Sequence, residues 1–391
     1  MAQLGIGLIG TGFMGACHAL AFRAAPAVFE TKLGARLELV ADVAEAPARA
    51  AAERFGFARW TTDWRAVVED PAVDLVSVAT PNVLHKEMAL AAIAAGKHVY
   101  CEKPLALTAA DAGEMAAAAR GAGIRTLVGY NYLRAPVVDF ARQLIEEGAI
   151  GRPTYVRSCF DEDYMADPTV PLSWRCRRAE AGSGALGDMG SHLIAALVFL
   201  FGPIAEVCAD AVTVIPERPL PADPGRERRD AAGGPVGTGR GVVENEDILH
   251  AMLLFESGLL GGFGTSRIAC GRKNHLALEI FGSDGAILLD QERMNELELY
   301  QTGSAANDRN GFRRVFSGPQ HPHYGAFVPA TGHGLGFNDL KVIEVAHLLD
   351  GIATGAPLHP DFEGGWRIEQ VADALLASAE RRAWVRVGDH A

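Results

Sequence analysis

The stretch GLIGTGFMG, Gly7 to Gly15, decides how the rest of the chain is read. It closes a short apolar run, Leu4–Gly10, and opens a helical pattern. Its glycines, Gly10, Gly12 and Gly15, stand in G-x-G-x-x-G spacing, with Thr11, Phe13 and Met14 between them. In a strand–turn–helix context each glycine has a task. Gly10 permits the tight turn, Gly12 lets the backbone approach a pyrophosphate, and Gly15 lets the helix pack closely on the strand. The anion then rests on free N–H groups at a helix N-terminus. Without that context the same residues are only a glycine-rich turn.

The context is present. Unbroken apolar runs at 4–10, 37–42, 74–80, 97–102 and 125–130 alternate with Ala-rich helical stretches such as AEAPARAAAERFG and KEMALAAIAAGK. Apolar strands alternating with helices describe a parallel sheet covered on both faces, and right-handed crossovers make it doubly wound. The second strand ends at Asp42. A carboxylate there accepts the ribose hydroxyls of an adenosine and repels a 2′-phosphate. Val43 and Ala44 follow it, with no arginine, so NAD is expected rather than NADP. The spacing from Gly12 exceeds the usual about twenty residues, and AVFETKLGAR accounts for the excess. The other reading of Asp42 is a solvated carboxylate at a strand end.

Beyond about residue 132 the rhythm changes. A helix through PVVDFARQLIEEG is followed mainly by strands, joined by tight turns such as ESG and GSDG, with helical patterns near 338–354 and 364–383. This predicts an α/β Rossmann domain over 1–132 and an α+β domain over 133–391 built on a large, open-faced, mainly antiparallel sheet. Residues 217–241 are Pro/Gly/Arg-rich without periodicity and read as a surface insertion.

Composition narrows the function. The chain has 391 residues, 49% hydrophobic and 21% charged, with a net charge of −12. That charge disfavours nucleic acid and anionic membrane surfaces. The greasiest run, Leu193–Phe201, stops at Gly202-Pro203 and reads as a buried helix rather than a membrane span. The N-terminus has neither a basic flank nor a cleavage-like site, so a cytoplasmic location is expected. Six scattered cysteines form no CxxC pair and read as small buried hydrophobes. His321 and His323 have no matching third ligand, so no metal is expected.

Two further motifs carry ionisable groups. YCEKPL, Tyr100–Leu105, puts Lys103 where a buried strand stops, beside Glu102 and before Pro104. TPNVLH, Thr80–His85, ends another strand, and ligands of such sheets lie beyond the strands' carboxyl ends. GSGALGDMGSHLI, Gly182–Ile194, sets Asp188 and His192 four apart at the start of the apolar helix, on one face if the helix is α. By themselves they read either as a pair satisfying a helix N-terminus or as a general base with its partner. Together with Lys103 they have a chemical logic. Alcohol oxidation needs a hydride acceptor, a base for the hydroxyl proton and a cation that favours the alkoxide.

GLIGTGFMG, ATPNVLH, CEKPLA, GYNY and SWR…GSGALGDMGSHLI together resemble, in order, the motifs of the Gfo/Idh/MocA oxidoreductases. The resemblance implies a Rossmann domain plus an open-faced sheet domain, NAD, and pyranose or polyol substrates. It implies that Lys103, Asp188 and His192 are the catalytic set and that the Lys103–Pro104 bond is cis. It also puts Thr80, Pro81, Asn82, His85, Glu102, Asn131, Trp174 and Arg175 on the cofactor side. The segments GRKNHLALEIFGSDGAILLDQERMNELELY and TGHGLGFNDL look most like the sugar-dehydrogenase branch that includes levoglucosan dehydrogenase. They make His333 and Asn338, with Tyr164 and Lys273, candidates for substrate contact. The alternatives are a keto-sugar reductase, an inositol dehydrogenase, or a non-catalytic NAD-bound sugar sensor or corepressor. A sheet with one open face is expected to bury it in a homodimer or homotetramer.

Overall fold

The structure, a computed structural model, describes residues 2–222, 236–303 and 306–389. The chain divides into two compact units, Met1–Arg134 with Gly336–Glu369, and Ala135–Leu335 with Gln370–Ala391.

In the first unit β1 (Ala2–Ile9), α1 (Phe13–Phe29), β2 (Leu33–Ala41), α2 (Glu45–Phe55), β3 (Arg59–Thr61), α3 (Trp64–Glu69), β4 (Leu75–Val78), α4 (His85–Ala94), β5 (His98–Cys101), α5 (Ala109–Ala122) and β6 (Thr126–Val128) alternate as the sequence predicts. The strands form one parallel sheet in the order β3-β2-β1-β4-β5-β6, so the chain reverses direction between β1 and β4. That reversal opens a crevice at the carboxyl ends of β1 and β4, where ligands of such sheets bind. Leu75, Val76, Val78, Val99 and Cys101 are wholly buried, as a strand covered on both faces requires. Local signals set the helix ends. Thr108 caps α5 by accepting the Asp111 N–H, and Gly123 ends it in the left-handed region.

The second unit contains α6 (Pro136–Glu146), β7 (Pro153–Asp161), α7 (Arg178–Ala181), α8 (Ser191–Phe201), β8 (Ile204–Val212), β9 (Glu217–Pro221), β10 (Val236–Val242), β11 (Ile248–Phe255), β12 (Leu260–Ser266), β13 (His275–Gly282), β14 (Gly285–Asp290), β15 (Glu296–Gln301), β16 (Arg313–Phe316) and β17 (Val385–Arg386). All but β9 and β10 form one sheet, β16-β15-β14-β13-β7-β12-β11-β8-β17, antiparallel except for the parallel pair β12–β7. One row of cross-strand neighbours, Val207, Leu253, Gly261, Val156, Ile280, Ile287 and Leu299, faces α6 and α8 and forms the core. The next row, Cys208, Met252, Gly262, Arg157, Glu279, Leu288, Glu298 and Arg314, lies on the open face. The segment Arg178–Phe201 is apolar and long enough to cross a membrane, but 78% of its most apolar window is buried, as in a core helix.

Two expectations change here. The Pro/Gly/Arg-rich stretch is not irregular throughout: β9 and β10 pair antiparallel, while 223–235 lie outside the described residues. Arg218 anchors this ladder, because its buried guanidinium donates to the carbonyls of Met165 and Asp167. The second change concerns the boundary at 132/133. Helix α9 (Phe337–Thr354) and the start of α10 (Phe362–Arg381) belong with the first unit, since α9 packs against α1. Sequence order hides this, because the chain returns to its first unit only after completing most of the second.

Candidate active site

The first unit follows β1 with a turn too tight for side chains at Gly10 and Gly15. Gly10 adopts φ +97, and a Cβ there would lie 2.4 Å from the Ala79 carbonyl oxygen. A Cβ on Gly15 would meet the Gly10 carbonyl oxygen at 2.0 Å. Gly12 is the N-cap of α1, with no side chain capping the helix amides and no acidic residue in the first turn, which suits an anion. Asp42 is buried at the end of β2. Its Oδ2 accepts the Thr11 N–H at 3.0 Å and the Thr11 hydroxyl, which ties the strand-end carboxylate to the glycine turn. Phe13, the first residue of α1, stacks on Phe337 at 5.5 Å, and Tyr132 meets Phe337 edge-on. This places Asn338, exposed in the first turn of α9, in the same unit as the glycine turn.

At the ends of β4 and β5 the expected motifs are organised by hydrogen bonds. Thr80, Pro81 and Asn82 form a half-buried turn after β4. The wholly buried His85 bridges that turn to the next motif, with Nδ1 at 2.9 Å from the Pro104 oxygen and Nε2 at 3.0 Å from the Thr80 oxygen. Burial holds its pKa below the ordinary histidine value. The Lys103–Pro104 peptide is cis, as the resemblance implies, and Lys103 is half-buried. Glu102 departs from expectation. Its carboxylate turns into the core, where Oε1 accepts from Lys341 Nζ at 2.6 Å and from His18 Nε2 at 2.8 Å. Burial pushes its pKa up, but the Lys341 charge and the His18 bond outweigh that and hold it well below the carboxylate range. Asn131, just past β6, is buried, and its amide nitrogen has no hydrogen-bond partner among the described residues. An orphaned donor, an uncapped helix start and a turn that admits only glycine fit a bound dinucleotide.

In the second unit Asp188 and His192 are not on one regular α-helix. Leu186–Gly190 form a π turn, closed by the Ser191 N–H donating to the Leu186 carbonyl, and α8 follows it. The wider turn changes the face Asp188 presents relative to His192, and such bulges are frequent at functional sites. Asp188 Oδ2 accepts the Tyr164 hydroxyl at 2.7 Å and lies 3.5 Å from Arg175 Nε. Burial and the Asp188 charge push the Tyr164 hydroxyl well above its ordinary pKa, so it stays a donor. The Arg175 guanidinium also lies over the Trp174 ring at 4.6 Å. His192 is buried, with its ring edge-on to Phe160 at 6.1 Å. The structure thus brings Tyr164, Trp174, Arg175 and Asp188 into one group.

His333 and Lys273 stand outside that group. The exposed His333 ring bonds the Ala330 carbonyl, and its own carbonyl accepts from Tyr324. Lys273 pairs with Asp163 at 2.7 Å. His321 accepts the Gly318 N–H, and His323 pairs with Asp139.

Several supporting residues escaped sequence reasoning. Glu246 Oε1 accepts the amides of Gly184 at 2.7 Å and Leu186 at 2.9 Å, capping the segment that carries Asp188. Burial nevertheless pushes its carboxyl pKa up. Arg267, 1% exposed, bonds Asp247 and Asn245, and Asn245 in turn donates to the Arg175 carbonyl at 2.9 Å. The run ENED, Glu244–Asp247, is the one signal that could have pointed to them, as a cluster of polar residues entering an apolar strand.

Residues 4–130 match the profile of an oxidoreductase family with an NAD-binding Rossmann fold, and 138–288 match the GFO/IDH/MocA C-terminal domain. The chain is 40% identical over 389 residues to levoglucosan dehydrogenase of Pseudarthrobacter phenanthrenivorans, covering 99% of each. A levoglucosan dehydrogenase structure in complex with NADH and levoglucosan superposes with a TM-score of 0.92 at 39% identity, covering 99% of this chain and 100% of that one. An NAD-binding oxidoreductase from Klebsiella pneumoniae gives 0.91 at 41% identity, covering 99% of each. The fold and the glycine turn are those of an NAD-binding oxidoreductase. More narrowly, the chain belongs to the Gfo/Idh/MocA family.

Proposed function

We propose that the chain is an NAD-dependent dehydrogenase that oxidises a secondary hydroxyl of a pyranose or anhydro sugar, with a levoglucosan-like bicyclic sugar the leading substrate. The full-length likeness to levoglucosan dehydrogenase carries this reading. NAD, when bound, supplies the hydride acceptor. Gly10, Thr11, Gly12, Phe13, Met14 and Gly15 hold its pyrophosphate on α1, and Asp42 takes the adenosine ribose. Thr80, Pro81, Asn82 and Asn131 border the cofactor, and Trp174 and Arg175 are further proposed cofactor contacts. Lys103 supplies positive charge to the reacting oxygen, and His192 takes the hydroxyl proton. Asp188, oriented by Tyr164 and Arg175, accepts a hydrogen bond from a neighbouring sugar hydroxyl. His333 and Asn338 are proposed as outer substrate contacts.

The chain is further proposed to act in the cytoplasm, which suits its six free cysteines. It is also proposed to assemble as a homodimer or homotetramer through the open sheet face, where Met252 is 49%, Leu260 44% and Phe316 51% exposed. The deciding experiment offers pyranoses, anhydro sugars and inositols with NAD and follows NADH absorbance. Sugar-dependent NADH formation, strongest with an anhydro sugar, is expected. Preference for an inositol would move the enzyme to another branch, and no turnover with any sugar would leave the keto-sugar reductase and the sensor readings.

A further inference from the structure

Lys341 is 0% exposed, in the second turn of α9. A buried ammonium needs partners, and Lys341 has four, the longest bond going to the Gly129 carbonyl at 3.5 Å. Its Nζ donates to Glu102 Oε1 at 2.6 Å, to Glu344 Oε2 at 2.9 Å and to the Tyr100 hydroxyl at 3.0 Å. A salt bridge serving stability alone has no need of a carboxylate one residue from Lys103. This one has that carboxylate, and its other oxygen is also engaged: Glu102 Oε2 accepts the Lys103 backbone N–H at 3.2 Å.

We propose that Lys341 is a positioning residue for Lys103, acting through Glu102. The inference rests on Lys103 being a catalytic group, as read above. Two donors hold Glu102 Oε1: Lys341 from α9 and His18 from α1. His18 is fixed in turn, with Nδ1 2.8 Å from Ser77 Oγ and its ring stacked on Tyr100 at 4.3 Å. Burial keeps its pKa low, so a neutral ring donating through Nε2 and accepting from Ser77 satisfies both contacts. With Oε1 pinned from two sides, the carboxylate has one orientation, and Oε2 faces the Lys103 amide. The next two residues are tied as well. The Pro104 oxygen is held by His85, and the Leu105 N–H donates to Glu369 Oε1 at 3.0 Å. Lys341 therefore completes a set of anchors that fixes the backbone from which the Lys103 side chain starts. Removing it leaves Glu102 and Glu344 buried without their shared cation, so Glu102 turns or takes up a proton and its grip on Lys103 is lost.

The test uses the full-length enzyme and two readouts. Hydrogen exchange of peptides covering Glu102–Leu105 should speed up about tenfold or more in Lys341→Met. Turnover with NAD and the sugar the wild type oxidises should fall about tenfold, while the sugar KM stays within about threefold. In a double-mutant cycle, Glu102→Gln/Lys341→Met should turn over no more slowly than Glu102→Gln alone, because both changes cut the same link. If Lys341→Met does not fold, Lys341→Met/Glu344→Gln removes one charge of each sign and should show the same loosened peptides. Unchanged exchange in a folded variant, or fully additive losses in the cycle, would overturn the proposal. A wild type that oxidises none of the sugars would refute the dehydrogenase reading instead, and the exchange result would still decide whether Lys341 fixes this backbone.

Discussion

Asp42 does two things at once. Its carboxylate is the proposed ribose acceptor, and it also holds Thr11 of the glycine turn through the N–H and the hydroxyl. Asp42→Ala should therefore raise the KM for NAD and narrow the preference over NADP, read as the ratio of kcat/KM for the two cofactors. A wild type that uses NADP equally well would contradict the assignment. Lys103→Ala should lower turnover by about 10² or more, with NADH binding, followed by fluorescence, nearly intact. Glu102 bears on stability. Its folded pKa is depressed by Lys341 and His18, against about 4.3 when unfolded. Its contribution is present above the unfolded value and is lost as pH falls below it. Glu102→Gln should cost about 3 kcal/mol near neutrality and flatten the decline of Tm between about pH 5 and pH 3. A parallel decline in both proteins would refute this. Lys103, Asp188 and His192 stood out in the sequence as candidates because each sits inside a local motif. Lys341 did not, because its partner Glu102 is 239 residues away and no local pattern shows what a lysine in the buried helix α9 pairs with.

The π turn at Leu186–Gly190 shows what a motif conceals. The i, i+4 spacing of Asp188 and His192 was visible, but the hydrogen bonding that sets their true relation depends on Glu246, sixty residues away at Leu186. Two glycines, Gly184 just before this turn and Gly187 within it, should behave differently. A Cβ on Gly184 would meet the Glu246 carbonyl oxygen at 2.0 Å, a backbone atom that cannot swing aside. A Cβ on Gly187 would meet only the Ser183 hydroxyl, at 2.6 Å. Gly184→Ala should destabilise by about 2 kcal/mol or more and remove most activity, whereas Gly187→Ala should stay within about 0.5 kcal/mol of wild type. Thermal melts and turnover on the pair settle it; equal effects would mean that the Glu246 cap does not hold the turn.

At the scale of the molecule, the sequence revealed the alternation that makes the first sheet parallel and the short turns that make the second mainly antiparallel. It did not reveal the parallel pair β12–β7 at that sheet's centre, because its partners, such as Leu260 and Tyr155, are remote in sequence. The open row carries both charge and apolar surface. Arg157 pairs with Glu279 at 2.9 Å across it, and Met252 lies two strands away from Arg157. Light scattering should give a mass of two or four chains. Met252→Arg together with Leu260→Asp should shift it towards one, and a variant that kept the wild-type mass would place the interface elsewhere.

The return of Gly336–Glu369 to the first unit has a consequence for how the protein is made. A ribosome that has finished the sixth strand has released every glycine of the cofactor turn, yet it has made neither Lys341 nor helix α9. At roughly 5–20 residues per second, the missing piece arrives on the order of tens of seconds later. Until then Glu102 has no cation, the flank of α1 that α9 covers is bare, and the nascent domain must wait or lean on a chaperone. The first unit is therefore finished only after most of the second has been made.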